Sequence, residues 1–165
     1  MINKEIIKSK IRDIEIYLKE IRPFLKLSSY KIIGDYPKLR TIERDFQLIV
    51  DTMVDINTHI ISRQNLPVPD DFQSTFVILG QNKIIPMKFA LSIAPIVGLR
   101  NKIVHKYGQI DKKKFVEDLK KGSQSFQRYL KEIEKYLKIP RLNHGKLAIN
   151  STKMSSTKMR STLFY

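Results

Sequence analysis

The 165-residue chain contains no cysteine and only 16 acidic side chains. Without cysteine there is no disulfide framework, no thiolate nucleophile and no thiolate metal ligand, which is typical of proteins in a reducing compartment. The most apolar stretch, residues 89–99, covers about 11 residues and is too short to span a bilayer. The first residues lack the continuous apolar segment of a secretory signal. We therefore expect a cytoplasmic protein that does not contact a membrane.

Several motifs of catalysis and cofactor binding are also missing. The six glycines are scattered and form no phosphate-binding loop of either common spacing. There is no HExxH, no EF-hand loop and no GxSxG. The three histidines, at positions 59, 105 and 144, are too far apart in sequence to predict a local metal site. The sequence therefore predicts neither a metal nor a cofactor.

The chain has a strong excess of positive charge, with 31 Lys and Arg and a net charge of +15. Such a balance favours a polyanionic partner, first a nucleic acid, then an acidic membrane face or an acidic protein. A proteome rich in lysine and isoleucine would give the same charge without any such partner. The first 140 residues keep a net charge of +10, so most of the positive charge lies outside the C-terminal tail.

The last residues, 140–165, differ in composition from the rest. They carry no acid after Pro140, few large apolar residues, and a Ser-Thr-Lys-Met repeat at 151–154 and 156–159. This composition predicts a mobile basic extension. A solvated tail without a specific role is favoured over an arm that binds nucleic acid. The folded domain is expected to occupy residues 1–139.

Apolar residues recur at helical spacing along most of that domain. The pattern predicts a first helix with an apolar stripe from Ile7 to Leu25, which Pro23 kinks or shortens. After a loop around Gly34, a second helix runs from the vicinity of Pro37 to about Arg63.

The second half of the domain is predicted to contain three more helices. A turn-rich connector at 65–70 leads to a short helix that carries Phe72, Phe76 and Leu79 and stops at Gly80. A fourth helix opens at Pro86 and continues towards His105, with a kink or break about one turn before Pro95. Asp111 caps a fifth helix that ends before Pro140. No segment shows sustained alternation, so we expect an all-α, up-and-down bundle of about five helices.

Asp51, Asp55 and His59 follow one another at four-residue spacing on one face of the predicted second helix. This row is compatible with a metal site or with a carboxylate that orients an imidazole. A solvated helix face with a weak ion pair is the favoured interpretation.

The densest group of chemically versatile side chains lies in residues 98–111. It holds Arg100, Asn101, His105 and Tyr107. A histidine titrates near neutrality and can move protons to and from oxygen atoms, and an arginine can hold a phosphate and stabilise its charge. These residue types suit the cleavage of a phosphodiester bond.

The spacing of Arg100 and His105 restricts how they can cooperate. Residues five apart on a straight helix differ by about 140° and 7.5 Å of rise. Either the helix breaks between them or a second chain completes the site. Asn101 and His105 lie one turn apart on one face. On residues alone, a surface Arg100 and a partly buried, satisfied His105 remain the favoured alternative.

The pattern Arg100-Asn101-x-x-x-His105-x-Tyr107 resembles the R-x4-H-x-Y signature of the HepT-like toxins, a branch of the HEPN ribonuclease superfamily. The similarity extends over roughly residues 1–139. It includes segments 43–50 and 55–60, which resemble the second helix of the family, and segments 69–79 and 84–86, which resemble its connector. Residues 107–111 resemble the entry into its last helix.

The resemblance implies a dimeric bundle in which two copies of the motif face one another in a cleft. It also implies metal-independent cleavage of tRNA or mRNA by attack of the ribose 2′-OH. His105 would be the general acid or base, Arg100 would steady the phosphate, and Asn101 would support both. Arg44, Asp55 and His59 are second-tier candidates for residues of the active site.

The resemblance further implies that Tyr107 is modified with AMP by a partner antitoxin, a nucleotidyltransferase of the MntA type. The homodimer would then be part of a larger complex. Two other functions remain open. One is a non-catalytic module that binds a nucleotide or the transferase, and the other is a basic helical protein that binds RNA or DNA.

Overall fold

The computed structural model describes residues 1–105 and 110–138, which form seven helices and no strand. The helices are α1 (Lys4–Leu25), α2 (Ser29–Ile33), α3 (Tyr36–Arg63), α4 (Ser74–Gln81), α5 (Met87–Ile93), α6 (Ile96–His105) and α7 (Lys112–Leu137). The all-α prediction is confirmed. Tyr107 and the tail predicted at 140–165 lie outside the described residues. None of the seven helices is long and apolar enough to cross a membrane.

Four of these helices begin at a side chain that accepts hydrogen bonds from the first turn. Such caps satisfy backbone N–H groups that have no partner within the helix. The capping residues are Asn3 for α1, Ser28 for α2, Asp35 for α3 and Asp111 for α7. Pro37 occupies the first turn of α3, where its missing N–H costs nothing. The predicted starts of α3 and α7 are therefore confirmed.

The long helices α1, α3 and α7 provide most of the core. The predicted apolar stripe of α1 is buried from Ile7 to Ile21, and Pro23 lies within its last turn, two residues before the helix ends. Phe46 of α3 packs edge-on against Phe115 and Phe126 of α7, at ring-centroid distances of 5.4 and 6.3 Å. Each such ring contributes on the order of 1.5–3 kcal/mol through burial.

The boundaries of the predicted helices differ in three places. The sequence reading missed α2, a five-residue helix that Ser28 caps and Ile32 anchors in the core. The predicted break in the fourth helix is confirmed, because Pro95 lacks an N–H and its ring clashes with the preceding turn, but its position differs. α5 ends two residues before Pro95, not a full turn before it.

The predicted short helix begins later than its apolar pattern indicated. Phe72 precedes α4 and is 62% exposed, and the helix continues one residue past Gly80. Gly80 is where α4 and α5 approach closely, since a Cβ there would lie 2.7 Å from the Cβ of Ala90 and from the Sδ of Met87. The glycine permits this packing and does not end the helix.

A buried polar chain joins α3, α4 and α7. The Tyr129 hydroxyl donates to Asn57 Oδ1 at 2.7 Å, and Asn57 Nδ2 donates to Thr75 Oγ1 at 3.1 Å. Thr75 Oγ1 in turn donates to the Phe72 carbonyl at 2.6 Å. Burial raises the pKa of Tyr129 well above its ordinary value, so the hydroxyl remains a donor. This network fixes how α7 sits against the helix that carries Asp51.

A buried carboxyl group lies between α1 and α3. Asp45 is 5% exposed. Burial, followed by the charge and hydrogen bonding of Glu20, raises the pKa of Asp45 to about 6, against a smaller opposite effect of Arg44. Because the folded-state pKa is above the ordinary value, the stability linked to this group is greatest at low pH. It is lost as the pH rises from about 4 through about 6.

We expect Asp45→Asn to stabilise the protein at pH 8, because the amide keeps the shape of the side chain and cannot ionise. The free energy of unfolding should rise by about 1–2 kcal/mol at pH 8 and change little near pH 4. Chemical denaturation at both pH values measures the difference, with exposed Asp70→Asn as the control. An equal effect of Asp45→Asn at both pH values would contradict this electrostatic account.

Candidate active site

Helix α6 carries Arg100, Asn101 and His105 on one continuous stretch from Ile96 to His105. Ile96, Val97 and Ile103 are buried and fix which face of α6 points to the core. The helix break at Pro95 lies before Arg100, so no break separates Arg100 from His105. The helix break that would let the two side chains of one chain converge is therefore not observed.

Arg100 is held by a carboxylate of another helix. Its Nη2 donates to Asp51 Oδ2 at 2.9 Å, and its Nε lies 2.7 Å from Asp51 Oδ1. Its Nη1 donates to Asn101 Oδ1 at 3.3 Å. The side chain of Arg100 is 19% exposed. The alternative of a free surface charge at position 100 is therefore wrong, since the guanidinium is paired, oriented and mostly buried.

His105 is the last residue of α6 and is exposed. The alternative of a partly buried histidine at this helix end is therefore wrong. Asn101, one turn earlier, is also exposed. An approaching substrate can reach both side chains, and Asn101 accepts a hydrogen bond from Arg100 through its Oδ1.

The row Asp51, Asp55 and His59 does not gather into a site. Asp55 Oδ2 accepts from Lys10 Nζ of α1 at 2.7 Å. His59 Nε2 accepts the backbone N–H of Asn3 at 3.2 Å. Within residues 1–105 and 110–138, no group of three His, Asp or Glu is arranged to hold a metal ion. The row is not a metal site. The favoured interpretation, a solvated face with a weak ion pair, describes exposed Asp55 and its ion pair with Lys10. Asp51 and His59 are partly buried and contact α6 and the N-terminal part of the chain.

The charges around His59 agree with its role as an acceptor. Burial is the main cause that lowers the pKa of His59, and the positive charges of Arg63 and Lys10 lower it further. The other second-tier residue, Arg44, is exposed and donates to Gln47 Oε1 at 3.3 Å. Arg44 lies seven residues before Asp51 on α3, about 10 Å along the helix axis. The hydrogen bonds and the ion pair described for the second-tier residues do not involve Arg100 or His105.

Asn101 and His105 are exposed, whereas the side chain of Arg100 is mostly buried. A cavity of about 380 Å³ is lined by the α4–α5 connection and by Glu132, Lys135 and Tyr136 of α7. Neither Arg100 nor His105 lines it. A guanidinium fixed by Asp51 on the same helix as an exposed histidine is compatible with binding of a phosphate group.

The partnership between Arg100 and Asp51 is the main feature that the sequence reading missed. The two residues are 49 positions apart, so no local spacing indicates their contact. The sequence singled out Asp51 only as a member of the row with Asp55 and His59, and that row gave no indication of Arg100 as its partner.

An all-α bundle that carries Arg100, Asn101 and His105 on one helix is compatible with a helical ribonuclease. The chain belongs to the ribonuclease HepT-like family, whose model matches residues 14–133. The predicted family and the predicted class of enzyme are confirmed.

Individual relatives agree with this assignment. The chain is 30% identical over 132 residues to the tRNA nuclease HepT of Aphanizomenon flos-aquae, covering 80% of this chain and 90% of that protein. It is 25% identical over 130 residues to the mRNA nuclease HepT of Shewanella oneidensis, covering 79% and 97%. A solved structure of the tri-AMPylated Shewanella oneidensis HEPN toxin in complex with MNT antitoxin has a TM-score of 0.71 at 24% identity, covering 79% and 97%; it confirms the fold.

Proposed function

We propose that the chain is the toxin of a toxin–antitoxin pair and acts in the cytoplasm as an endoribonuclease on tRNA or mRNA. The observation that carries this proposal is the Arg100–Asp51 pair on the same continuous helix as an exposed His105. The names of the two HepT relatives, one a tRNA nuclease and one an mRNA nuclease, support an RNA substrate.

The proposed reaction is an internal transfer within the RNA. The ribose 2′-oxygen attacks the adjacent phosphorus, the bond to the 5′-oxygen of the next nucleotide breaks, and a 2′,3′-cyclic phosphate and a 5′-hydroxyl result. His105 moves a proton, either from the attacking 2′-hydroxyl or to the leaving oxygen. Arg100 stabilises the negative charge that develops on the phosphate. These steps require no metal ion.

We propose that two copies of the chain form the site. Because α6 is unbroken from Ile96 to His105, Arg100 and His105 of one copy point in directions about 140° apart. A two-fold arrangement brings Arg100 of one copy towards His105 of the other. The homodimer would then form a larger complex with its antitoxin.

We propose that the antitoxin is a nucleotidyltransferase that silences the toxin at Tyr107. It would transfer AMP from ATP to the tyrosine oxygen and release pyrophosphate. An adenylate two residues from His105 would exclude the RNA phosphate through its charge and its volume. The AMPylated Shewanella oneidensis toxin supports this form of control.

The chemistry is tested by incubating the purified protein with RNA in the presence of EDTA and analysing the ends. We expect cleavage to continue and the products to carry 2′,3′-cyclic phosphate and 5′-hydroxyl ends. A 2′-deoxynucleotide at the cleaved position should block cleavage there, because the attacking oxygen is missing. Loss of cleavage in EDTA, restored by added metal, or products with 5′-phosphate ends would overturn the mechanism.

Asp51→Asn tests whether the ion pair positions the guanidinium. Removal of the carboxylate charge should lower the turnover rate about 10-fold, because Arg100 loses its orientation. Asp51→Glu should recover part of the activity. Asp55→Asn is the matched control, since it makes the same change one turn further along α3 where the partner is Lys10. Equal losses in the two Asn variants would show an effect of stability and not of positioning.

A further inference from the structure

Two exposed tyrosines lie among basic side chains where α2, the start of α3 and the start of α7 meet. Tyr30 is 77% exposed and Tyr36 is 64% exposed. We call this surface the tyrosine–lysine patch and define it by Tyr30, Lys31, Tyr36, Arg40, Lys112 and Lys113. It lies outside the site described above.

Direct contacts hold the patch together. The Lys113 Nζ lies 5.5 Å from the centre of the Tyr30 ring, and the Arg40 guanidinium lies 5.8 Å from the centre of the Tyr36 ring. Burial raises the pKa of Glu43 while the charges of Arg40 and Lys112 lower it, which places the start of α7 beside the first turns of α3. The two tyrosines therefore lie on one basic surface.

Folding stability does not account for this arrangement. The first turn of α7 contains the consecutive lysines Lys112, Lys113 and Lys114, and the acid at this end of the helix is its capping residue Asp111. Exposed tyrosine rings also contribute little to the core. A surface that places exposed lysines beside exposed aromatic rings fits a partner that is both anionic and flat.

The patch connects to the proposed cleavage site along α3. Tyr36, Arg40, Arg44, Gln47 and Asp51 lie within an arc of about 80° on one face and extend about 22 Å along the helix. All five side chains are exposed or partly exposed, and Asp51 is paired with Arg100. A single strand of a few nucleotides could follow this face from the patch to Arg100.

We propose that the tyrosine–lysine patch binds unpaired nucleotides of the RNA beside the cleaved bond, an inference that rests on the proposed function. Tyr30 and Tyr36 stack on bases, and Lys31, Lys112 and Lys113 neutralise phosphates. Aromatic rings recognise bases only where these are unstacked, so the patch selects single-stranded segments over duplex. An acidic protein partner would use the positive charges of the patch but would have no need of the exposed aromatic rings.

Fluorescence anisotropy tests the stacking, with full-length His105→Ala protein and labelled single-stranded oligouridylate or an RNA duplex as the two probes. Tyr30→Ala combined with Tyr36→Ala should weaken binding of the single strand about 10- to 100-fold and leave duplex binding nearly unchanged. Phenylalanine at both positions should restore the affinity. Phe72→Ala is the matched control, because it removes an equally exposed ring from an acidic connector.

The lysines are tested by the salt dependence of the same binding. Lys112→Gln combined with Lys113→Gln should weaken both probes and reduce the slope of log affinity against log salt by about 1 to 1.5 for the single strand. Lys131→Gln, an exposed lysine further along α7, should lower the slope by less.

Unchanged binding of the single strand by the double tyrosine variant, or equal losses on both probes, would overturn the proposal. Loss of self-association by that variant in gel filtration would assign the patch to a protein interface and would also overturn it. The proposed function fails separately: a wild-type protein that binds oligouridylate through these tyrosines but cleaves no RNA would contradict only the catalytic assignment.

Discussion

Replacement of His105 by alanine is expected to lower RNA cleavage by at least about 100-fold, the usual contribution of a general acid or base. The side chain is exposed at the end of α6 and is not part of the core, so folding should be unaffected. RNA affinity should also persist, since Arg100 and the basic surface remain. The rate under single-turnover conditions and the affinity of the same RNA measure the two effects separately.

His59→Ala is the matched control for this experiment. His59 accepts the N–H of Asn3 at the start of α1, so its loss should reduce stability slightly and leave cleavage intact. Comparable losses of cleavage in the two alanine variants would show that His105 has no catalytic role of its own. Full activity of His105→Ala would favour a protein that binds RNA without cleaving it.

Tyr107→Phe is expected to free the toxin from its antitoxin while preserving cleavage. Phenylalanine keeps the ring but lacks the oxygen that receives AMP. Cells that produce the wild-type chain together with the transferase should grow, whereas cells that produce Tyr107→Phe with the same transferase should stop growing and degrade RNA. Intact-protein mass spectrometry should show the addition of AMP to the wild type and none to the variant.

Tyr17→Phe removes a hydroxyl elsewhere in the chain and should remain silenced. A transferase that silences Tyr107→Phe as completely as the wild type would show neutralisation by binding alone. In that case the nucleotidyltransferase would be a partner of the toxin without being its modifying enzyme.

The long helices could be predicted from the sequence because the apolar pattern and the residues at the helix start indicate the same boundaries. Asp111 precedes a sustained apolar stripe, and Pro37 occupies a first turn where its missing N–H is harmless. Helix α2 escaped prediction because its five residues are too few to show a period. Its existence depends on a serine cap and on Ile32 entering the core between α3 and α7.

The candidate site was only partly visible in the sequence. The spacing of Arg100 and His105 already indicated divergent side chains, and the unbroken α6 removes the alternative of a helix break between them. The role of Asp51 was not visible, because four-residue spacing shows that side chains share a face but not what packs across from it. The tyrosine–lysine patch was not visible in the sequence either. It depends on the approach of α7 to α2 and α3, which only the fold shows.

The central claim is that Arg100 of one chain and His105 of another form one phosphodiester-cleaving site. Its most direct test is a mixed dimer of Arg100→Ala and His105→Ala chains, purified through two different tags and assayed for RNA cleavage. Both parent variants should be inactive, and the mixed dimer should recover about half of the wild-type activity, because one of its two sites receives an intact Arg100 and an intact His105. A mixed dimer as inactive as its parents would contradict the shared site.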